Sequence, residues 1–279
     1  MNLKDKVLSI QASQKKPDIL VIGDLMIDHY IWGTATRLSP EAPVPVVNVK
    51  TESTTLGGAG NVVQNLVAFG ANVTVAGVTG DDAGSVELIE ILENEGVKTD
   101  TIVKDSSRPT TVKTRVLAGS HQLVRIDREV TKALSAELED ELVAKLGNSI
   151  DAVDIVIFSD YNKGLFAPGL TQRLIDLANA HQKKVIVDPK GLNYEKYKGA
   201  WLIKPNRKEL AEAAKAGRIA PIDPFHFMAN LVGLTVFPFV GKPILQRVTK
   251  TNDRQFQAFM EERKKLVPIW IRAILQAKP

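Results

Sequence analysis

The sequence predicts an α/β fold, a mostly parallel sheet covered by helices, followed by an all-helical tail. Three observations carry that expectation. Short apolar runs alternate with amphipathic helical stretches from Asp18 to Lys215, the order that builds parallel strands joined by crossover helices. Several of those runs end directly in polar or glycine-rich loops, as sheet strands do at a ligand-binding rim. Beyond Gly217 only helical periodicity remains.

The elements follow in order. Asp18–Gly23 (DILVIG) is a short apolar run ending in Gly-Asp and reads as a buried first strand. Residues 30–50 are rich in Pro, Val and Thr, which suggests extended strands or a flap with turns at Ser39-Pro40 and Pro43 to Pro45. Gly57-Gly58-Ala59-Gly60 reads as a loop opening a helix, with Val62, Val63, Leu66 and Val67 at helical spacing. Val73–Val78 is the next strand, and Ala83 to Glu95 a helix closed by Gly96. Val112–Leu117 and Gln122–Ile126 form a strand pair around Gly119-Ser120. A helix over Leu134–Leu146, a strand over Asp154–Ser159 and a helix over Pro168–His181 come next. Strands at Lys184–Asp188 and Ala200–Lys204 precede a helix starting at Arg207. The tail carries four helical signals, at Pro224–Leu234, Lys242–Val248, Asp253–Lys265 and Pro268–Gln276, with breaks at Pro238 and Pro243.

Composition narrows the class. Of 279 residues, 44% are hydrophobic and 24% charged, ordinary for a globular protein. There is no cysteine, which removes disulfides, thiolate zinc sites and cysteine nucleophiles. The first 18 residues lack the apolar core of a signal peptide. The longest apolar stretch, Phe227 to Gly241, is interrupted by Asn230, Thr235 and Pro238 and is too short for a membrane span. A cytoplasmic protein without a membrane partner is the expectation. The net charge of +4 divides unevenly: ten Lys/Arg against four Asp/Glu after Ala216, and 26 against 28 before it. That split, with seven of sixteen aromatics in the last 64 residues, marks two compositions, 1–216 and 217–279. A basic tail of this kind is a solvated face, so no nucleic-acid partner is expected.

Candidate site residues sit at strand ends. Asp24 and Asp28 place two carboxylates just beyond the first strand, and carboxylates suit sugar hydroxyls because each oxygen accepts more than one hydrogen bond. A turn and helix cap at Asp24 explains that residue equally well. Gly57 and Gly58 let backbone approach a ligand closely, and Asn61 adds a donor and an acceptor. A tight strand-to-helix turn is the competing explanation. The cluster is neither a Walker loop nor a dinucleotide fingerprint. Ser159–Gly164, Asp188–Gly191 and Lys204–Glu209 each follow a strand, and Lys163 and Lys190 are suited to neutralising phosphate. Asn206 and Glu209 share one helix face and suit a hydrated magnesium ion, a capping pair, or both. His29 lies near Asp28 and is placed to touch substrate. His121, His181 and His226 lack ligand spacing and read as structural.

Together these residues resemble the ribokinase family of carbohydrate kinases. The matching pieces are VIGDLMID at 21–28, GGAGN at 57–61, SDYNKG at 159–164, DPKG at 188–191 and the Asn-x-x-Glu of 206–209. The segment Leu38–Val47 (LSPEAPVPVV) is narrower and closely resembles D-glycero-β-D-manno-heptose-7-phosphate kinases, which occur alone or as half of a bifunctional enzyme. The resemblance covers about residues 10–215. It implies a ribokinase-like fold with a small β lid from residues 30–50 and 111–126. It implies a sugar phosphate held by Asp24, Asp28, Gly57, Gly58 and Asn61, and ATP and Mg²⁺ served by Asn206 and Glu209. The implied reaction phosphorylates the anomeric hydroxyl, a step toward the heptose of lipopolysaccharide.

The family carries its catalytic base in a Gly-x-Gly-Asp loop opening a late helix. After Glu212 the acidic residues are Asp223, Asp253, Glu261 and Glu262, and none follows a Gly-x-Gly. Thr79-Gly80-Asp81-Asp82 lies too early and matches a different family loop. The expectation is therefore weak or absent turnover. Residues 222–245 and 259–271 are similar to the C-terminal helices of tetracycline-repressor-type regulators, which implies a possible homodimer. A binding protein without turnover is the second expectation, and a regulator without its DNA-reading helices the third.

Overall fold

The computed structural model describes residues 16–216 and 231–276. They fall into two compact units, Met1–Pro205 and Asn206–Pro279. In the first unit the strands are β1 Asp18–Gly23, β2 Leu25–Leu38, β3 Pro45–Gly58, β4 Asn72–Thr79, β5 Ile102–Lys104, β6 Thr111–Ala118, β7 His121–Arg128, β8 Ile155–Ser159, β9 Lys184–Asp188 and β10 Leu202–Ile203. Its α-helices are α1 Ala59–Ala68, α2 Ala83–Asn94, α3 Ala136–Ser149 and α4 Pro168–Ala180.

Six strands form a parallel sheet in the order β10-β9-β8-β1-β4-β5. β1 lies inside it, which explains its unbroken apolar run: a strand covered on both faces has no polar side. Leu20 and Ile22 face a core that includes Leu142 and Leu146 of α3 and Leu170 and Leu174 of α4. Ile19 and Val21 face the opposite core, with Val63 of α1 and Leu88 and Leu92 of α2. The parallel sheet covered by helices that the alternating sequence predicts is the layering observed.

The lid is a second sheet, in the order β3-β2-β6-β7. It is longer than the segments 30–50 and 111–126 indicate, because β2 starts at Leu25 and β3 runs to Gly58. Leu25, Met26 and Ile27 are buried at the base of β2, whereas all eight residues of β7 are exposed. The lid is thus anchored at one end and open along its far strand.

The hinge between sheet and lid is fixed by Asp82. Its Oδ1 accepts the Ser85 N–H at 3.0 Å, capping α2, and the Thr110 hydroxyl at 2.7 Å. Its Oδ2 accepts the Thr110 N–H at 2.9 Å, one residue before β6. Asp82→Ala removes a cap worth ~1 kcal/mol and strands Thr110, whose hydrogen bonds contribute about 1 kcal/mol each. The expected loss is about 2–3 kcal/mol in denaturant unfolding, and a loss below about 0.5 kcal/mol would show that Asp82 does not tie the hinge.

In the second unit α5 spans Arg207–Lys215, residues 231–235 are helical, α6 spans Phe237–Val240, α7 Lys242–Thr249 and α8 Asp253–Gln276. The expected helix at Pro224–Leu234 and His226 fall largely outside the described residues. Pro238 and Pro243 stand second in their helices, where the missing N–H costs nothing. The two helices expected at Asp253–Lys265 and Pro268–Gln276 are one, with Pro268 inside it. The Arg263 guanidinium lies 5.5 Å from the Phe259 ring and 5.2 Å from the Trp270 ring, bridging the proline. Such stacking offsets part of the ~3 kcal/mol that an internal proline costs. Among the described residues no helix is long and apolar enough to cross a membrane.

Candidate functional site

Asp24 occupies the junction where β1 leaves the parallel sheet and β2 enters the lid. Its N–H donates to the Ser159 carbonyl at 3.2 Å and its carbonyl accepts from Ala59 N–H at 3.1 Å. The carboxylate is buried, 5% exposed as a residue. Its Oδ2 accepts the N–H groups of Tyr161 at 2.7 Å and Lys163 at 3.2 Å. Burial outweighs these bonds and, with Asp160 nearby, pushes the Asp24 carboxyl up to about 6. Asp24 therefore organises the loop after β8 as well as lining the pocket formed with Leu25, Val78, Arg108, Thr111 and Lys163.

The raised value fixes a sign. A folded-state pKa of about 6 against 3.8 for an ordinary Asp means the fold favours the protonated acid. That contribution to stability is complete below about pH 4 and is lost as pH rises through about 6. Asp24→Asn, which cannot titrate, is expected to gain on the parent across that window. Melting of both chains at matched pH values checks this, and a parallel pH dependence would contradict the assignment.

Asp28 lies beyond the end of β1, inside β2 of the lid. Its Oδ1 takes the Arg115 guanidinium at 2.6 Å, and Arg115 also lies over the Tyr30 ring at 5.2 Å. Gly57 and Gly58 end β3 and are not a loop: helix α1 starts at Ala59. A Cβ on Gly57 would come within 2.7 Å of Asp28 Oδ2, and one on Gly58 within 2.6 Å of the Asp24 carbonyl. Gly58 also has φ +53°, a conformation side-chain-bearing residues rarely adopt. The two glycines thus seat both aspartates against one strand end. Asn61 is exposed on the first turn of α1, and its carbonyl accepts from Asn65 Nδ2 at 2.8 Å.

Loops after β8 and β9 meet through the Asp160 N–H, which donates to the Asp188 carbonyl at 3.1 Å. The Lys163 ammonium is held by Glu129 Oε1 at 2.7 Å, and Glu129 Oε2 holds Lys113 at 3.1 Å. Its charge is already balanced across the lid. Lys190 is exposed after β9, with its N–H on the Tyr197 hydroxyl at 3.3 Å. His29 pairs with Glu52 at 3.0 Å within the lid. His181 pairs with Asp151 at 2.6 Å.

Asn206 and Glu209 belong to the second unit and form a reciprocal cap. The Asn206 N–H donates to Glu209 Oε2 at 2.9 Å, and the Glu209 N–H donates to Asn206 Oδ1 at 2.9 Å. The capping alternative is the geometry observed. No group of three or more His, Asp or Glu among the described residues gathers as a metal-ligand set.

Two participants were not singled out from sequence. Arg108 lines the Asp24 pocket, its Nε on Asp105 at 2.7 Å with both side chains nearly buried. The i,i+3 spacing of Asp105 and Arg108 was the available signal. Glu129 left none, because its partners Lys113 and Lys163 lie 16 and 34 residues away.

Residues 16–220 match the pfkB family of carbohydrate kinases. The chain is 48% identical over 204 residues to the bifunctional protein HldE of Wolinella succinogenes, and 51% identical over 195 residues to that of Helicobacter hepaticus. Those matches cover 73% and 70% of this chain but 43% and 40% of the relatives, so it spans less than half the length of the curated proteins it matches. Among solved structures, a carbohydrate kinase from Agrobacterium tumefaciens aligns with a TM-score of 0.54 at 20% identity, over 71% of this chain and 63% of that one. Arabidopsis thaliana ribokinase, solved with ribose and ATP, aligns with a TM-score of 0.52 at 17% identity, over 72% and 64%. At such identities the likeness speaks for the fold.

Proposed function

The chain belongs to the pfkB family of carbohydrate kinases, and from that premise we propose a sugar-phosphate site of the heptose-7-phosphate kinase type. The reaction class is ATP-dependent phosphorylation of the anomeric hydroxyl of D-glycero-β-D-manno-heptose 7-phosphate. The observation that carries this reading is the pairing of Asp24 with Gly58 and of Asp28 with Gly57 at one strand end. The resemblance of Leu38–Val47 to heptose-7-phosphate kinases and the similarity to the HldE proteins support the choice of sugar.

In this reading the ionised Asp24 and Asp28 accept hydrogen bonds from sugar hydroxyls, and the glycines admit the ring against backbone. Asn61 supplies a further polar contact, while Lys190 offsets phosphate charge. ATP, when bound, would supply the transferable phosphoryl group and Mg²⁺ the counter-charge, and Asn206 and Glu209 are the residues proposed to serve them. The attacking hydroxyl must lose its proton as the bond to phosphorus forms and the ADP oxygen departs. Residues 213–279 contain no Gly-x-Gly-Asp to receive that proton. We therefore propose that binding outlives turnover in this chain.

The test is calorimetry with heptose 7-phosphate and with ATP separately. The sugar phosphate is expected to bind the more tightly, and Asp24→Ala to weaken it by about 1.5–3 kcal/mol, the range for a lost charged hydrogen bond. ATP binding the tighter, or Asp24→Ala leaving sugar affinity unchanged, would sink this reading.

A further inference from the structure

Two buried carboxylates take the amides of the loop after β8 in turn. The Tyr161 and Lys163 N–H groups donate to Asp24 Oδ2 at 2.7 and 3.2 Å, and the Asn162 N–H between them donates to Asp160 Oδ1 at 2.6 Å. Asn162 sits at φ +58°, a sparsely populated conformation that persists where the surroundings hold it. Asp24 and Asp160 thus share one loop, and moving either carboxylate moves the amides that hold the other.

Asp160 is anchored from elsewhere. Its side chain is fully buried, and its Oδ2 accepts the Lys196 ammonium and the Tyr197 hydroxyl, each at 2.6 Å. Both partners come from the short 3₁₀ turn Tyr194–Tyr197, 36 and 37 residues further along the chain. Lys196 is itself nearly buried, donates to the Phe166 carbonyl at 3.3 Å and lies over the Tyr197 ring at 5.0 Å. Tyr197 belongs to the core between sheet and α4. Burial, and after it the Asp160 carboxylate, raise its hydroxyl above the usual tyrosine range, so it remains a donor. An ammonium in direct contact balances a carboxylate that water cannot reach, and removing it leaves a buried charge uncompensated.

The other charged groups around the two carboxylates have partners of their own. In the Asp24 pocket Lys163 pairs with Glu129 and Arg108 with Asp105. Asp28 is held by Arg115, and Asp188, whose carbonyl receives the Asp160 N–H, turns its carboxylate to Lys204 at 3.1 Å. Burial raises the Tyr161 hydroxyl, which is neutral.

We infer that Lys196 and Tyr197 are positioning residues for Asp24: they fix Asp160, and Asp160 fixes the loop whose flanking amides hold the Asp24 carboxylate. Charge is passed on as well as position, because Asp160 stands behind burial among the causes that raise Asp24 to about 6. The consequence for ligand binding rests on the sugar reading above; the coupling of the two carboxylates does not.

The experiment follows the aspartate carboxyl carbons of the full chain by ¹³C NMR as pH is varied, with Asp24→Asn identifying the Asp24 signal. Asp160→Asn removes a like charge and is expected to lower the Asp24 midpoint by about one unit. Lys196→Met uncovers that charge, and the last proton of the Asp24 and Asp160 pair is expected to leave about one unit higher. Lys196→Arg restores the cation and the parent midpoint, and Tyr197→Phe moves it as Lys196→Met does, by less. Calorimetry then reads the ligand side. Heptose 7-phosphate affinity in Lys196→Met is expected to fall about fivefold near pH 6 and to match the parent near pH 8. A merely structural role would weaken binding equally at both pH values, which would overturn the positioning role and leave the sugar reading standing. Midpoints unmoved in Asp160→Asn and Lys196→Met overturn it too. Should those two variants fail to fold, Tyr197→Phe decides: a raised midpoint supports the coupling and an unmoved one overturns it. If the midpoints move as expected and heptose 7-phosphate binds neither parent nor variant, the coupling stands and the sugar reading falls.

Discussion

Gly58→Ala should destabilise the chain by about 3 kcal/mol and abolish tight sugar-phosphate binding. Two costs combine. The residue has φ +53° and ψ −128°, outside the left-handed helical well, and a side-chain-bearing residue held in so sparsely populated a region costs roughly 1–3 kcal/mol. The same Cβ would lie 2.6 Å from both the Asp24 carbonyl and Met26 Cε. Met26 can swing, but the Asp24 carbonyl accepts the first amide of α1 and cannot yield without moving the carboxylate it carries. Overpacking of this kind adds about 1–3 kcal/mol. Gly70→Ala is the control: φ is +87° there, and nothing lies within 4 Å of its Cβ. It should show the backbone cost alone and leave binding untouched. Equal losses at the two positions would mean that Gly58 serves only the backbone turn and not the seating of Asp24.

Much of this site was legible in the sequence, and the reason is local. A strand buried on both faces must be continuously apolar, so DILVIG marked β1 without any tertiary knowledge. Gly57 and Gly58 stood out as a pair, and a Cβ on either would meet an aspartate, at the Asp28 carboxylate and at the Asp24 carbonyl. Lys163 shows where local reasoning stops. Its position after β8 suited phosphate, yet Glu129 lies close enough to bind it only because the lid folds back on the core. Asp28 is similar, since Arg115 reaches it through a parallel pairing of β2 with β6 that no local pattern specifies. Asn206 and Glu209 carried two compatible meanings at one spacing, and the capping geometry was the one visible. The single helix through Pro268 went unseen because a proline is ordinarily the end of a helix, and the Arg263 bridge depends on side chains around it.

We propose a sugar-phosphate site without an effective base. Kinases of known mechanism turn over at about 1–100 s⁻¹, and a general base typically contributes about 10²–10⁴-fold. Asp24 is no substitute, although its pKa near 6 lies in a useful range. Its Oδ2 is occupied by the Tyr161 and Lys163 amides, and as a sugar ligand it must already accept a different hydroxyl. The stabilising amides that accompany the family's missing loop are a further loss, each such donor being worth about 10²–10³-fold. The direct measurement is ADP release with saturating heptose 7-phosphate and ATP-Mg²⁺, in a coupled assay on the full chain. The expected result is turnover below about 0.1 s⁻¹ from a chain that calorimetry shows to be loaded with sugar phosphate. Turnover of order 1 s⁻¹ or more would contradict the claim and would require a base among the residues present.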